Sequence, residues 1–241
     1  MASNNPRGFK AGLMHGLPIG MGYLSVSFSF GVLAVSLGLS WWQAVLVSLA
    51  NVTSAGQVAG IGIMAASGSL IEMAVSQIVI NVRYSLMSIS LSQKADSSVN
   101  RLSRFLLSFG ITDEIFGVAM GSGDSFGRRY FAGLMVLPIF SWVLGSFLGA
   151  VIGSVLPKVL VESLSIGIYG MFIAIVLPVC RKDKRVAIVS AIAVGISVLL
   201  YYVKFFSFIS GGFAAIISAV VAALIGAIFL PSSEKEEKAD A

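Results

Sequence analysis

Three ionisable side chains stand where the surrounding sequence is almost wholly apolar. Arg83 lies within Asn81-Val82-Arg83-Tyr84, and Asp113 and Glu114 follow Thr112. A charge at bilayer depth costs at least about 2.5–3.5 kcal/mol on insertion scales, so such residues face a cavity or one another. An arginine offers a fork of donors to an anion, and a carboxylate accepts a cation or carries a proton. The expectation is therefore one coupled polar centre of Arg83, Asp113 and Glu114. Adjacent residues on a helix point about 100° apart, so only one of the two carboxylates faces the cavity. Gly110, Glu114, Gly117 and Gly121 share a helical face that would admit a backbone beside the carboxylate. That makes Glu114 the choice for the cavity side and Asp113 the choice for Arg83. A purely structural ion pair is the plainer alternative.

Other groups carry less. His15 reads as a packing or interfacial residue, and Cys180 as a small apolar side chain. One Cys and one His cannot assemble a His/Cys metal site, and no cofactor is expected. Gly121-Ser122-Gly123-Asp124 matches the GxGD pattern of an intramembrane aspartyl protease. No second aspartate has a comparable flank, so the chain reads as no enzyme.

Composition sets the elements that must position these groups. The chain has 241 residues, 57% hydrophobic and 11% charged, against about 25% charged in an average globular protein. No Asp, Glu, Lys or Arg occurs in the 61 residues between Lys10 and Glu72, nor in the 28 from Tyr130 to Pro157. Such stretches exclude a soluble enzyme and a nucleic-acid binder. The single cysteine excludes a disulfide scaffold, and unbroken apolar blocks exclude an outer-membrane barrel, which alternates over about ten residues. The net charge of +5 then reports topology rather than nucleic acid. The chain is an all-α polytopic membrane protein embedded in the lipid bilayer.

Eight hydrophobic segments cover roughly 12–37, 41–66, 70–92, 104–122, 130–156, 160–180, 186–203 and 209–230. A single transmembrane domain over 1–231 is expected, with halves of about 8–122 and 130–230, followed by a solvated tail at 232–241. If all eight segments cross, ten Lys and Arg fall inside and five outside. If segments two and four enter and return on the same side, the loop holding Lys94, Arg101 and Arg104 moves inside, and the count becomes thirteen against two. Positive-inside bias prefers the second arrangement, with both termini cytoplasmic. These two segments are also the most polar, and interrupted helices near Ser54–Gln57 and Thr112–Glu114 are expected.

Two packing signals complete the plan. Ala11-Gly12-Leu13-Met14, then Leu17-Pro18-Ile19, recurs as Ala132-Gly133-Leu134-Met135, then Leu137-Pro138-Ile139, which suggests a parallel two-half repeat. Gly8, Gly12, Gly16 and Gly20 recur at every fourth position, as do Gly145, Gly149 and Gly153. Each set forms a stripe on which another helix can approach closely. Segment three carries Gln77, Asn81, Ser85, Ser88 and Ser92 on one face, so little lipid contact is expected of it.

The ordered motifs Ser54-Ala55-Gly56-Gln57, Asn81-Val82-Arg83-Tyr84 and Thr112-Asp113-Glu114, then WVLGSFLGAVIG from Trp142, resemble the AzlC family of branched-chain amino acid permeases over roughly residues 8–205. The resemblance implies an exporter of valine, related branched-chain amino acids or methionine. It also implies a small AzlD-type membrane subunit as partner, expected to dock on one of the glycine stripes, and the cell membrane of a prokaryote as location. The family usually has His where Tyr84 stands, and often a small and then an apolar residue around the glutamine, where Gly56 and Val58 stand here. These departures concern the substrate. For an amino acid, Arg83 or amides freed near Ser54–Gln57 would take the carboxylate, and Asp113 or Glu114 the ammonium or a coupling proton. The expected substrate-binding set is Ser54, Gly56, Gln57, Asn81, Arg83 and Glu114, with Asp113, Glu114 and Arg83 as the ionic group. A non-transporting assembly or channel subunit is the competing reading.

Overall fold

The computed structural model describes residues 8–122, 125–153, 155–157, 159, 160, 170, 173, 176–181, 183–206 and 208–230. Asp124, Lys158, Lys182, most of segment six and the 232–241 tail lie outside them. The described helices are α1 (Phe9–Ser36), α2 (Trp41–Ala50), α3 (Ser54–Ala65), α4 (Leu70–Lys94), α5 (Arg101–Ser108), α6 (Asp113–Gly121), α7 (Arg128–Gly153), α8 (Lys184–Tyr202) and α9 (Gly211–Phe229). Among the described residues α1, α7, α8 and α9 are long and apolar enough to cross a membrane. The fold is all-α, as the composition requires. The chain divides into two compact units, Met1–Ile61 with Ile80–Ile168, and Gly62–Val79 with Tyr169–Ala241.

The first unit is built on α1 against α7, and glycine makes that contact possible. A Cβ on Gly12 would lie 2.8 Å from Leu134 N, one on Gly133 3.0 Å from Leu13 N, and one on Gly149 2.8 Å from Phe28 C. Gly31 meets Ala150 in the same way, and Gly153 meets Val32. Residue numbers rise together along the two helices, so they run parallel. The two copies of the Ala-Gly-Leu-Met repeat therefore sit side by side, and the buried Pro138 of one copy touches Gly16 of the other. The glycine stripes expected to hold a partner subunit are instead closed on each other. The reason is mutual fit, since each stripe offers the other the same lack of side chains.

Segments two and four are each split into two short helices. The first split is at Asn51-Val52-Thr53, where Asn51 ends α2 in extended conformation and Thr53 Oγ1 accepts from the Gly56 amide at 3.0 Å. Gln57 Nε2 reaches back to Ser48 Oγ at 2.7 Å. Nine residues of unbroken helix would set their backbones about 13.5 Å apart along the axis, so the chain turns back on itself here. The second split runs through Phe109-Gly110-Ile111-Thr112, and Thr112 caps α6 by accepting from Ile115 N. Asn, Thr and Gly favour such interruptions because side-chain caps and backbone freedom compete with the helix ladder.

The loops on either side of segment four meet. Asp96 N donates to Phe126 O at 3.0 Å, Arg128 N to Ser98 Oγ at 3.0 Å, and Lys94 Nζ reaches Met120 O. At 8 and 9 residues, α5 and α6 are each only about 12–14 Å long, too short for a hydrocarbon core of about 30 Å. Segment four thus enters and leaves at the same end of the α1–α7 pair. Segment two approaches from the opposite end, where Trp41 packs edge-on against Phe147, and its break at Val52 joins the cluster of Tyr23 and Trp142.

Two local expectations fail. Gly110 lies in the break rather than on the helix of Glu114, and a Cβ at Gly117 or Gly121 would meet nothing within 4 Å, so no backbone among the described residues approaches that face. On α4, Val82, Leu86 and Ile89 form an apolar face more than half exposed. The serine stripe occupies only part of that helix's circumference.

In the second unit Glu72 is buried at the start of α9. Its carboxylate accepts from Ser210 Oγ, the N-cap of α9, and a Cβ on Gly212 would collide with it. An acidic group there complements the positive end of the helix dipole.

Candidate functional site

Tyr23, midway along α1, joins the two interrupted segments. Its hydroxyl hydrogen-bonds Thr112 Oγ1 at 2.6 Å and donates to Glu114 Oε2 at 2.5 Å. Its ring packs edge-on against Trp142 with centroids 5.1 Å apart, and Val52 completes the cluster. The caps of α3 and α6, Thr53 and Thr112, stand at the two breaks that reach this residue. Half-helix N-termini present unpaired amides and the positive end of the backbone dipole, an arrangement suited to anions.

Arg83 and Asp113 meet beside it. Arg83 Nη1 lies 2.7 Å from Asp113 Oδ2, with side-chain exposures of 45% and 41%. A second guanidinium nitrogen donates to Tyr84 Oη at 3.1 Å, and the cation lies 4.9 Å from the Tyr84 ring centre. Half-open on this scale, the pair can exchange partners at lower cost than a fully buried one. Asp113 holds the arginine, while Glu114 turns to Tyr23. Both acids fall in the first turn of α6, where the helix dipole favours negative charge.

A second polar cluster lies between α2, α3 and α7. Ser146 Oγ donates to Trp142 O at 3.0 Å, so the 2.6 Å bond between Ser48 and Ser146 takes its proton from Ser48. Ser48 Oγ is then left to accept from Gln57 Nε2. This chain fixes the carboxamide orientation and leaves Gln57 Oε1 as its free end. Gln57 Oε1 and Trp142 Nε1 are both buried with no hydrogen-bond partner among the described residues. Each such orphan costs roughly 1–3 kcal/mol, a penalty that a ligand or water relieves.

The structure places the six expected binding residues unevenly. Arg83, Asp113 and Glu114 come together, with Tyr84 beside them. Gln57 belongs to the neighbouring cluster, connected to the first through the Trp142–Tyr23 ring contact. Ser54 opens α3, the buried Gly56 spends its amide on Thr53, and Asn81 is half-buried on α4. Tyr23, Ser146 and the cap role of Thr112 escaped the sequence reading. A signal existed for the last: Thr followed by two acids is a helix-start signature. Nothing local marks Tyr23, whose partners lie 89 and 91 residues away. His15 packs as expected, its Nδ1 2.8 Å from Tyr130 Oη. Gly123 and Asp124, of the protease-like pattern, lie outside the described residues.

Comparison with known proteins gives one family match, the AzlC protein, over residues 18–156. An uncharacterized membrane protein of Archaeoglobus fulgidus is 34% identical over 78% of this chain and 84% of its own length. The Escherichia coli inner membrane protein YgaZ is 32% identical over 61% of each chain. An uncharacterized membrane protein of Helicobacter pylori is 26% identical over 61% of this chain and 65% of its own. No solved structure matches the chain.

Proposed function

The chain belongs to the AzlC family of membrane proteins, and from that premise we propose that it exports branched-chain or related apolar amino acids. One observation carries the reading: two helix breaks reach Tyr23 from opposite ends of the α1–α7 pair, beside an arginine and two carboxylates. Broken helices at mid-membrane are how many transporters hold zwitterions, with backbone amides and charges aimed at the substrate. Arg83 or the start of α3 takes the carboxylate, and Glu114 takes the ammonium or a coupling proton. Gln57 Oε1 and Trp142 Nε1 add a buried acceptor and a buried donor. Val, Ile and Phe around the breaks suit a branched side chain. Proton coupling would use the Tyr23–Glu114 bond, which must change when Glu114 changes charge. A small AzlD-type membrane subunit completes the exporter, and the loops of Lys94–Arg104 and Arg128–Arg129 face the cytoplasm of a prokaryotic cell.

The experiment is valine and leucine flux in proteoliposomes, with the chain alone and with its small partner. Saturable flux that needs both proteins and an imposed proton gradient supports the reading. Equal flux from the chain alone overturns the two-component part. An absence of flux for valine, leucine, isoleucine and methionine overturns the whole and leaves a non-transporting assembly subunit.

A further inference from the structure

A cavity of about 470 Å³ opens between α4, α5 and the segment before α7. Its walls are mostly carbon, from Leu91, Leu107, Ile111, Phe126 and Phe131. Among the described residues one charged side chain lines it, Arg104. Arg104 Nε donates to Val99 O at 3.3 Å and one terminal nitrogen to Ser92 Oγ, which together hold the guanidinium at the wall. Ile89 lines the cavity and is also 58% exposed, and Leu86, Phe105 and Leu106 beside it are 67%, 76% and 58% exposed. The cavity therefore opens sideways onto an apolar surface rather than upward into water.

Charge at the same end completes the pattern. Arg101 shares the Arg104 face of α5, Lys94 and Arg128 follow lining residues along the chain, and Arg129 adjoins them. Among the described residues no carboxylate pairs with any of these cations. An amino acid fits poorly, because among the described residues no anion lines the cavity to meet its ammonium, and Asp96, next to the lining Ala95, accepts instead from Ser98 N. An amphiphile with an apolar tail and an anionic head fits both halves of the site.

We propose that this cavity binds an anionic phospholipid, one acyl chain between α4 and α5 and its phosphate on Arg104. The site is separate from the Tyr23 centre and does not depend on the transport reading. It ties α5, a short helix whose Leu102, Phe105 and Leu106 face outward, to the bilayer.

The test uses the purified full chain in nanodiscs of equal phosphatidylglycerol and phosphatidylcholine, with retained lipid counted by native mass spectrometry. Preferential retention of phosphatidylglycerol is expected. One arginine near a headgroup is worth about 1 kcal/mol, so Arg104→Gln should cut that preference about 5-fold. Arg104→Lys should keep most of it. Ser108→Phe, which fills the cavity from the α5 side, should release both lipids. Circular dichroism of each variant must match the parent; a variant that fails it is replaced by Arg101→Gln, expected to lower the preference in the same direction. Equal retention of the two lipids by the parent chain, or unchanged preference in folded Arg104→Gln, overturns the proposal. So does displacement by valine, which would make the cavity a substrate vestibule, or by glycerol phosphate alone, which would make it a headgroup site.

Discussion

Tyr23 carries one hydroxyl and serves two residues of α6, so its removal tests the centre most directly. Tyr23→Phe keeps the ring against Trp142 but leaves Thr112 and Glu114 without their partner. A lost hydrogen bond to a charged group is worth roughly 1.5–3 kcal/mol, so substrate affinity or flux should fall about 10-fold or more while the helices remain. Unchanged flux would reduce the Tyr23 bonds to packing. The Arg83–Asp113 pair makes a different forecast. Arg83→Gln alone leaves Asp113 unpaired, and the protein should lose thermal stability. Adding Asp113→Asn removes the orphan charge and should restore the melting temperature, whereas transport stays lost if Arg83 handles substrate. Recovery of both in the double variant would make the pair structural only. Arg83, Asp113 and Glu114 stood out in the sequence because charge in an apolar segment is conspicuous. Tyr23 did not, because a tyrosine in such a segment is ordinary until its neighbours are known.

At the scale of elements, the α1–α7 contact depends on hydrogens where other residues carry carbon. Gly149→Leu would drive a side chain into the backbone of Phe28, already 2.8 Å from the position of a single Cβ. Overpacking in a close-packed interface costs about 1–3 kcal/mol or more, so lower expression and melting temperature are expected. Gly117→Ala makes the control, since nothing among the described residues lies within 4 Å of a Cβ there. Wild-type stability of Gly149→Leu would mean that the two helices are not tightly apposed. The stripes themselves were legible in the sequence, but their partner was not. A small-residue stripe says that some helix comes close, and only the tertiary structure decides which.

For the molecule as a whole, topology can be read with single cysteines in a Cys180→Ser background. Ser97→Cys and Ser125→Cys flank segment four, and their loops touch in the fold, so both should share one accessibility. With the basic loops cytoplasmic, both resist an impermeant thiol reagent applied to intact cells, while Leu37→Cys at the other end of α1 is labelled. Labelling of Ser97→Cys without Ser125→Cys would restore eight full crossings. The Gly38 turn between α1 and α2 fixes that opposite end: its φ of +90 suits glycine, and its amide closes on Val35 O at 2.9 Å.

The sequence by itself determined the all-α membrane class, the polar interruptions of segments two and four, and the residues of the ionic group. Each of these is a one-dimensional property, since hydrophobic length, cap residues and the cost of buried charge act along the chain. The charge count of thirteen against two also favoured a returning segment four. Only the tertiary structure decided that α1 and α7 close each other's glycine stripes, that Arg83 takes Asp113, and that both breaks reach Tyr23. Those outcomes rest on contacts between residues about 30 to 120 positions apart, whose partners are chosen by shape and hydrogen-bond geometry that no local pattern records.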